Sequence, residues 1–340
     1  MAHLKRTIFP GSARAHPALA ATMGLTIAVV AAGMFMAAGI LGRRADSAGE
    51  APPAASEPTQ PAVLPPTTRL LLPALVRQGK PLAIVASSGA IYQGGTTLVT
   101  VPGAVSGTAE IFGRSYPLAP LADGVAGFVA AGVLDPPGET TLVVVATDAS
   151  GKSETLDRPL MVLATPWTVD YITLPPGVGG GLTAEVVQAE EDLLAAMYGG
   201  VTDRRWGGPW QAPVDAPVTG YFGEQRSFNG GPVSGHHGGT DFGVEEGTPV
   251  TAANAGTVVL AQELAVRGNM VIIDHGAGVF SGYSHLHEIK VIAGEPVTTG
   301  QVIGLVGTTG LSTGPHLHWE QAVRGILVDG LRWVDGSQGF

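Results

Sequence analysis

Three hydrophobic patterns follow one another along the chain. Residues 18–41 carry no charge and, as a helix, would extend roughly 36 Å, enough to span a bilayer. From 69 to 165, short apolar runs such as PLAIVASS, TTLVTVPG and TTLVVVATDASG alternate with turn residues, which predicts an immunoglobulin-like β-sandwich. From 206 onward short runs return (TPVTAANAGTVVLAQ, NMVIIDHG, GVFSGYSHLHEI, HLHWEQAVRG), joined by glycine-rich turns, and predict a second β unit. The clearest soluble helix is predicted between them, over 183–198. Thr183 can cap it, Gly199 and Gly200 end it, and Val186, Leu193 and Met197, with Val187 and Leu194, form one apolar face.

The expected fold class is therefore mainly β, with this organisation: a cytoplasmic N-terminus (1–17), a transmembrane anchor (18–41), a Pro/Ala-rich linker (42–67), an immunoglobulin-like domain (68–172), a linker (173–205) carrying helix 183–198, and the second β domain (206–340). A cleaved signal peptide is the rival reading of 18–41. Its apolar core is usually shorter, and the small residues nearby make poor cleavage sites, which favours the anchor. Lys5, Arg6 and Arg14 precede the segment and Arg43 and Arg44 follow it, so flanking charge alone orients it only weakly.

Composition narrows the function. A net charge of −10 without a Lys/Arg cluster excludes nucleic acid as a partner, because phosphate binding needs a basic patch. With no cysteine, any metal must be held by His, Asp or Glu. Seven of the nine histidines (236, 237, 275, 285, 287, 316 and 318) fall in the second β unit, and none lies between His16 and His236. Chemistry is thus expected in the C-terminal unit, and the first β unit reads as a spacer or an interaction module.

Two local patterns suggest a site. In a strand, His316 and His318 of HLH point to one face roughly 7 Å apart, so both rings can border one small site while Leu317 packs on the other side. In HHGGTDFG, the four-residue separation of His237 and Asp241 would suit a helix, but Gly238 and Gly239 disfavour one. Fully extended, the two side chains would stand roughly 13 Å apart, too far to share an ion, so the chain must bend at the glycines. On geometry alone His236 can replace His237, and the choice stays open.

The ordered set HHGGTDFG, TPVTAANAGTVV, GNMVIIDHGAGV, YSHL and GQVIGLVGTTGLSTGPHLHWE, over roughly residues 206–340, resembles the lysostaphin-type (LytM-type) zinc metallopeptidases of bacterial cell walls. The resemblance implies that His237, Asp241 and His318 bind one zinc ion and that His285 and His316 are catalytic. It implies hydrolysis of peptidoglycan peptide crosslinks by a zinc-activated water. His285 and His316 would orient or deprotonate that water and stabilise the oxyanion or protonate the leaving amine. Access to the wall then implies a single-pass inner-membrane protein with its catalytic domain in the periplasm or extracytoplasmic space, and the immunoglobulin-like domain is open to cell-wall or division proteins.

The remaining residues have plainer readings. His275, in the turn DHGAG, is expected to fix a strand end and Asp274 to serve the turn, His287 beside Glu288 to be exposed, and His236 to neighbour the site or substrate groove. Arg226 reads as a solvated loop arginine, and Tyr221 is a weak candidate for an oxyanion role. Two other functions belong to the same sequence: a catalytically inactive LytM-like regulator that activates a wall amidase, and an extracytoplasmic peptidase acting on proteins. Some inactive relatives lack one or more ligands, whereas every expected ligand is present here.

Overall fold

The computed structural model describes residues 81–336 except 175, 176, 178 and 179. The expected anchor 18–41 and linker 42–67 lie outside the described residues. Among the described residues no helix is long and apolar enough to cross a membrane. Ala74–Phe340 forms one compact unit, and it is mainly β.

The first eight strands are β1 (Val85–Ala86), β2 (Ala90–Tyr92), β3 (Thr96–Pro102), β4 (Ala104–Ile111), β5 (Arg114–Leu121), β6 (Gly124–Ala130), β7 (Gly138–Asp148) and β8 (Ser153–Leu163). They pair in the order β1-β3-β6-β5-β4-β7-β8-β2. Strand β5 changes partner along its length: its first half lies against β4 and its second half, from Ala119, against β6. Period-two burial builds the interior, with Leu142, Val144 and Ala146 of β7 all inward.

The chain then runs through β9 (Val169–Ile172) to helix α1 (Ala184–Tyr198). Thr183 caps α1 as expected, accepting from the Val186 amide. The buried stripe of α1 is Glu190, Leu194 and Tyr198 at i, i+4 and i+8, with Leu193 and Met197 at its margin. Val186, expected on the apolar face, is instead 39% exposed: the buried stripe begins one turn later, at Glu190, whose carboxylate accepts from backbone amides at a turn of the neighbouring sheet.

The next strands are β10 (Val218–Gly220), β11 (Gln225–Phe228), β12 (Val233–His236), β13 (Thr240–Gly243), β14 (Pro249–Thr251), β15 (Gly256–Leu264), β16 (Gly268–Gly276) and β17 (Val279–Leu286). They are followed by β18 (Glu288–Ile289), β19 (Pro296–Val297), β20 (Val302–Leu305), β21 (His316–Val323), β22 (Ile326–Val328) and the short helix α2 (Leu331–Val334). The main sheet has the order β10-β13-β21-β17-β16-β15-β19, with β22 also on β21. Two three-stranded sheets flank it, β12-β11-β9 and β14-β20-β18. The β9–β11 pairing is parallel, so the segment after β8 extends a sheet of the C-terminal region.

One hydrophobic core runs through both β regions. At their junction Phe128 of β6 lies 5.8 Å from Trp206 and 5.0 Å from Trp333, between ring centroids, and Trp210 packs on both tryptophans. Arg204 covers the Trp206 ring at 3.8 Å. The Asp329 amide donates to the Gly94 carbonyl, adding a backbone link across the same junction.

Candidate active site

The site forms where β13, β21 and β17 lie side by side. Asp241 and His318 are direct cross-strand partners, as are Ser284 and His318, so the register delivers an aspartate and two histidine-bearing strands to one spot. His237 joins them through the bend at Gly238 and Gly239. A Cβ at Gly239 would lie 2.4 Å from the Trp319 carbonyl oxygen and 3.0 Å from His318 Cε1, so only glycine lets the loop lie this close to β21.

His237 Nε2 stands 3.0 Å from Asp241 Oδ1, His318 Nδ1 stands 2.8 Å from the same oxygen, and the two ring nitrogens are 3.0 Å apart. His236 is not part of this trio; it lines the adjoining groove. Of the pair, it is His237 that stands beside Asp241 in the structure. His285 and His316 sit beside the trio, their rings 4.8 Å apart between centroids, and His316 Nε2 is 3.9 Å from Asp241 Oδ1.

The outward nitrogen of each ring has an acceptor, and this orients all four rings. His237 Nδ1 donates to the Tyr221 carbonyl, His285 Nδ1 to the Thr309 carbonyl and His316 Nδ1 to the Gly314 carbonyl, each at 2.8 Å. His318 Nε2 donates to Glu320 Oε1 at 3.2 Å. His237 Nε2 and His318 Nδ1 are therefore the nitrogens that face Asp241, and His285 and His316 are left with Nε2 as their free nitrogen. His285 holds its ring from a left-handed backbone conformation (φ +61°), an uncommon state for a residue with a side chain and one concentrated at functional sites.

Charge at the site is organised by burial and pairing. Burial opposes ionisation of Asp241, but hydrogen bonds from His237 and His318 outweigh it and hold the carboxyl well below the usual carboxylate range. Burial likewise opposes a charge on His318, yet its bonds to Asp241 and Glu320 raise it to about 9. Burial lowers His285 to about 3, helped by the nearby His318 and His316, so this ring is neutral at ordinary pH. Burial also lowers His237, against the pull of Asp241.

This donor set fits a divalent cation. Donors bound at about 2.0–2.1 Å to a tetrahedral ion lie about 3.3 Å apart, close to the 2.8–3.0 Å spacing seen here. The two carboxylates already demand positive charge at His318, and each imidazole is anchored from behind as metal-bound histidines are. His237, Asp241 and His318 can hold a metal ion; their ligand atoms all lie within 4.8 Å of one another.

The trio opens on a groove of about 610 Å³, lined in part by Asp170, Ile172, Arg226, Leu311 and Pro315. Arg226, read from sequence as a solvated loop residue, lies on β11 with its side chain only 13% exposed. It pairs with Asp170 at 2.6 Å and reaches Asp241 Oδ2 at 3.5 Å. The Tyr221 side chain is 55% exposed; what it contributes is its carbonyl, which fixes His237. His287 is exposed and faces Glu246. His275, near the end of β16, is fully buried, its Nδ1 donating to the Ala255 carbonyl, and Asp274 accepts from the Gly276 amide, as expected of a residue that serves a turn. Glu320 and Arg267 escaped sequence reasoning, although Glu320 continues the alternation that places His316 and His318 on one face.

Residues 235–330 match the model of peptidase family M23. Over 96 residues the chain is 46% identical to peptidoglycan DD-endopeptidase ShyA of Vibrio cholerae, which is 28% of this chain and 22% of that protein. Over 126 residues it is 38% identical to peptidoglycan DD-endopeptidase ShyB of the same organism, 35% of this chain and 29% of that protein. The chain thus spans less than a third of the length of either relative. A crystal structure assigned to peptidase M23 from Pseudomonas aeruginosa superposes with a TM-score of 0.54 at 26% identity, covering 72% of this chain and 94% of that one. The shared architecture therefore extends beyond residues 235–330.

Proposed function

With residues 235–330 forming a peptidase family M23 domain, we propose that the protein is a zinc-dependent endopeptidase that hydrolyses peptide crosslinks of peptidoglycan. The observation that carries this reading is the convergence of His237, Asp241 and His318 on one point, with the rings of His285 and His316 beside it. The names of the Vibrio cholerae relatives support the substrate.

His237, Asp241 and His318 would hold the ion, two neutral imidazoles and one carboxylate leaving a net charge of about +1 and a position open to solvent. Zinc, when bound, supplies Lewis acidity that polarises a scissile carbonyl and acidifies water toward a pKa of about 7. The protein's own groups do the rest. With Nδ1 engaged on both rings, Nε2 of neutral His285 and Nε2 of His316 are the free nitrogens, so one ring can take a proton from the attacking water and the other can carry one to the leaving amine. Their Nδ1–H bonds to backbone carbonyls hold the rings in that tautomer through the proton transfers. The groove beside them, with apolar Ile172, Leu311 and Pro315 among its lining residues, gives an extended peptide a surface to lie on.

We further read the first β region as immunoglobulin-like, supported by the passage of β5 from β4 to β6 along its length. We read residues 18–41 as an inner-membrane anchor that leaves the catalytic region outside the cytoplasm, supported by the uncharged run of that length. Zinc content and muropeptide release from purified sacculi, for wild type and for His318→Ala and His285→Ala, test the function. Bound zinc and crosslink cleavage in wild type are expected. Zinc-free, inactive wild type would instead point to an amidase regulator, and cleavage of proteins with intact sacculi to a protein-directed peptidase.

A further inference from the structure

Glu320 is fully buried and collects donors from three directions. Its Oε1 accepts from His318 Nε2 and from Nε and Nη2 of Arg267, all at 3.2 Å. Its Oε2 accepts from the Tyr198 hydroxyl at 2.6 Å. Tyr198 lies 122 residues earlier, at the C-terminal end of α1 and outside the span matched by the M23 family.

The same helix also supports the arginine. Glu190 accepts from the backbone amides of Val266 and Arg267 at 2.7 and 3.0 Å, and Glu191 pairs with Arg267 Nη1 at 2.6 Å. Helix α1 therefore reaches Glu320 twice, directly through Tyr198 and indirectly through Arg267.

Space has been left for the tyrosine hydroxyl. A Cβ on Gly282 of β17 would stand 2.3 Å from Tyr198 Oη and 3.3 Å from Glu320 Oε2, so the absence of a side chain there lets the hydroxyl reach the carboxylate. Packing alone does not call for that oxygen. The Tyr198 ring already sits edge-on to Phe280 at 5.9 Å in an apolar cluster with Leu194, Met270 and Ile272, where a phenyl ring would serve.

We propose that Tyr198 is a positioning residue for the metal centre: through Glu320 it sets the ring orientation of His318, so that the helix between the two β regions is part of the metal site. The inference rests on the zinc reading above. With no solvent contact, the Glu320 carboxylate can be oriented only by its donors. Loss of the Tyr198 hydroxyl leaves Oε2 unpaired, and the carboxylate can then turn toward Arg267, taking the acceptor of His318 Nε2 with it.

The experiment uses the full chain and measures zinc affinity by competition with a chelating dye, together with the visible spectrum of the cobalt-substituted protein. Tyr198→Phe is expected to weaken zinc binding about tenfold, the lower end for changes behind a ligand, and to shift the cobalt bands. Leu194→Val, on the same helix stripe but away from Glu320, is expected to lower the thermal midpoint while binding zinc as wild type does. Wild-type affinity and spectrum in Tyr198→Phe, or an equal loss in Leu194→Val, would overturn the inference and leave the zinc site standing. A wild type that binds no zinc would overturn both.

Discussion

Strands β6 and β17 are each buried along their whole length, yet one reads GVAGFVA and the other VFSGYSHL. Strand β6 fills space: Val125, Phe128 and Val129 join an apolar interior in which the first β region buries few polar side chains beyond Thr96 and Thr97. Strand β17 carries Ser281, Ser284 and His285 into an interior that also encloses His275, His318 and Glu320. Burying polar groups without partners costs about 1–3 kcal/mol each, and here many have a specific partner: His285 has the Thr309 carbonyl, and Ser281 has His275 and Tyr283. The contrast teaches that burial has two uses in this molecule. In the first region it stabilises the fold; in the second it also fixes tautomers and charges.

Substitutions that fall on one side of this contrast should leave the other side intact. The largest effect is expected from His318→Ala, which removes a proposed ligand and a hydrogen-bond partner of both Asp241 and Glu320: zinc affinity should fall by more than the about 100-fold of an outer-shell change, and muropeptide release should be lost. His285→Ala should retain zinc, measured by metal content, but release muropeptides about 100- to 10,000-fold more slowly if it carries a proton in the reaction. Phe128→Ala, in the apolar strand, should cost about 3–5 kcal/mol of stability in denaturant unfolding, with zinc affinity unchanged.

The smallest effect is one of pH. His275 is held neutral by burial, with its value lowered to about 4, below the usual value of about 6.5 in an unfolded chain. Between these values the unfolded chain binds the proton and the folded one does not. Its contribution to stability is therefore complete above pH of about 6.5 and is lost as pH falls toward about 4, by up to about 3 kcal/mol. Thermal midpoints between pH 7 and 4.5 should show a shallower slope in His275→Asn than in wild type.

How much of this was legible in the sequence follows from the range of the signals. The alternation in HLH places His316 and His318 on one face because strand geometry is local, and the glycines in HHGGTDFG announce the bend for the same reason. Choosing His237 over His236 needed either the motif resemblance or the pairing of β13 with β21. The roles of Glu320, Arg267 and Arg226 depend on partners 53 to 122 residues away in sequence, or on a strand, β9, that pairs in parallel with β11. Hydrophobic period also misjudged α1, since the stripe it buries begins with Glu190, whose carboxylate caps backbone amides rather than facing water.

Strand β21 occupies the middle of the main sheet, between β13 and β17, although it comes late in the chain. A ribosome therefore delivers the flanking strands before the one that joins them, and the sheet closes only through contacts of long sequence separation, which form slowly. His316 and His318 travel on that central strand. His237 and Asp241 are consequently made before the histidine that completes the trio, and the trio closes in a single step, when β21 inserts between its neighbours.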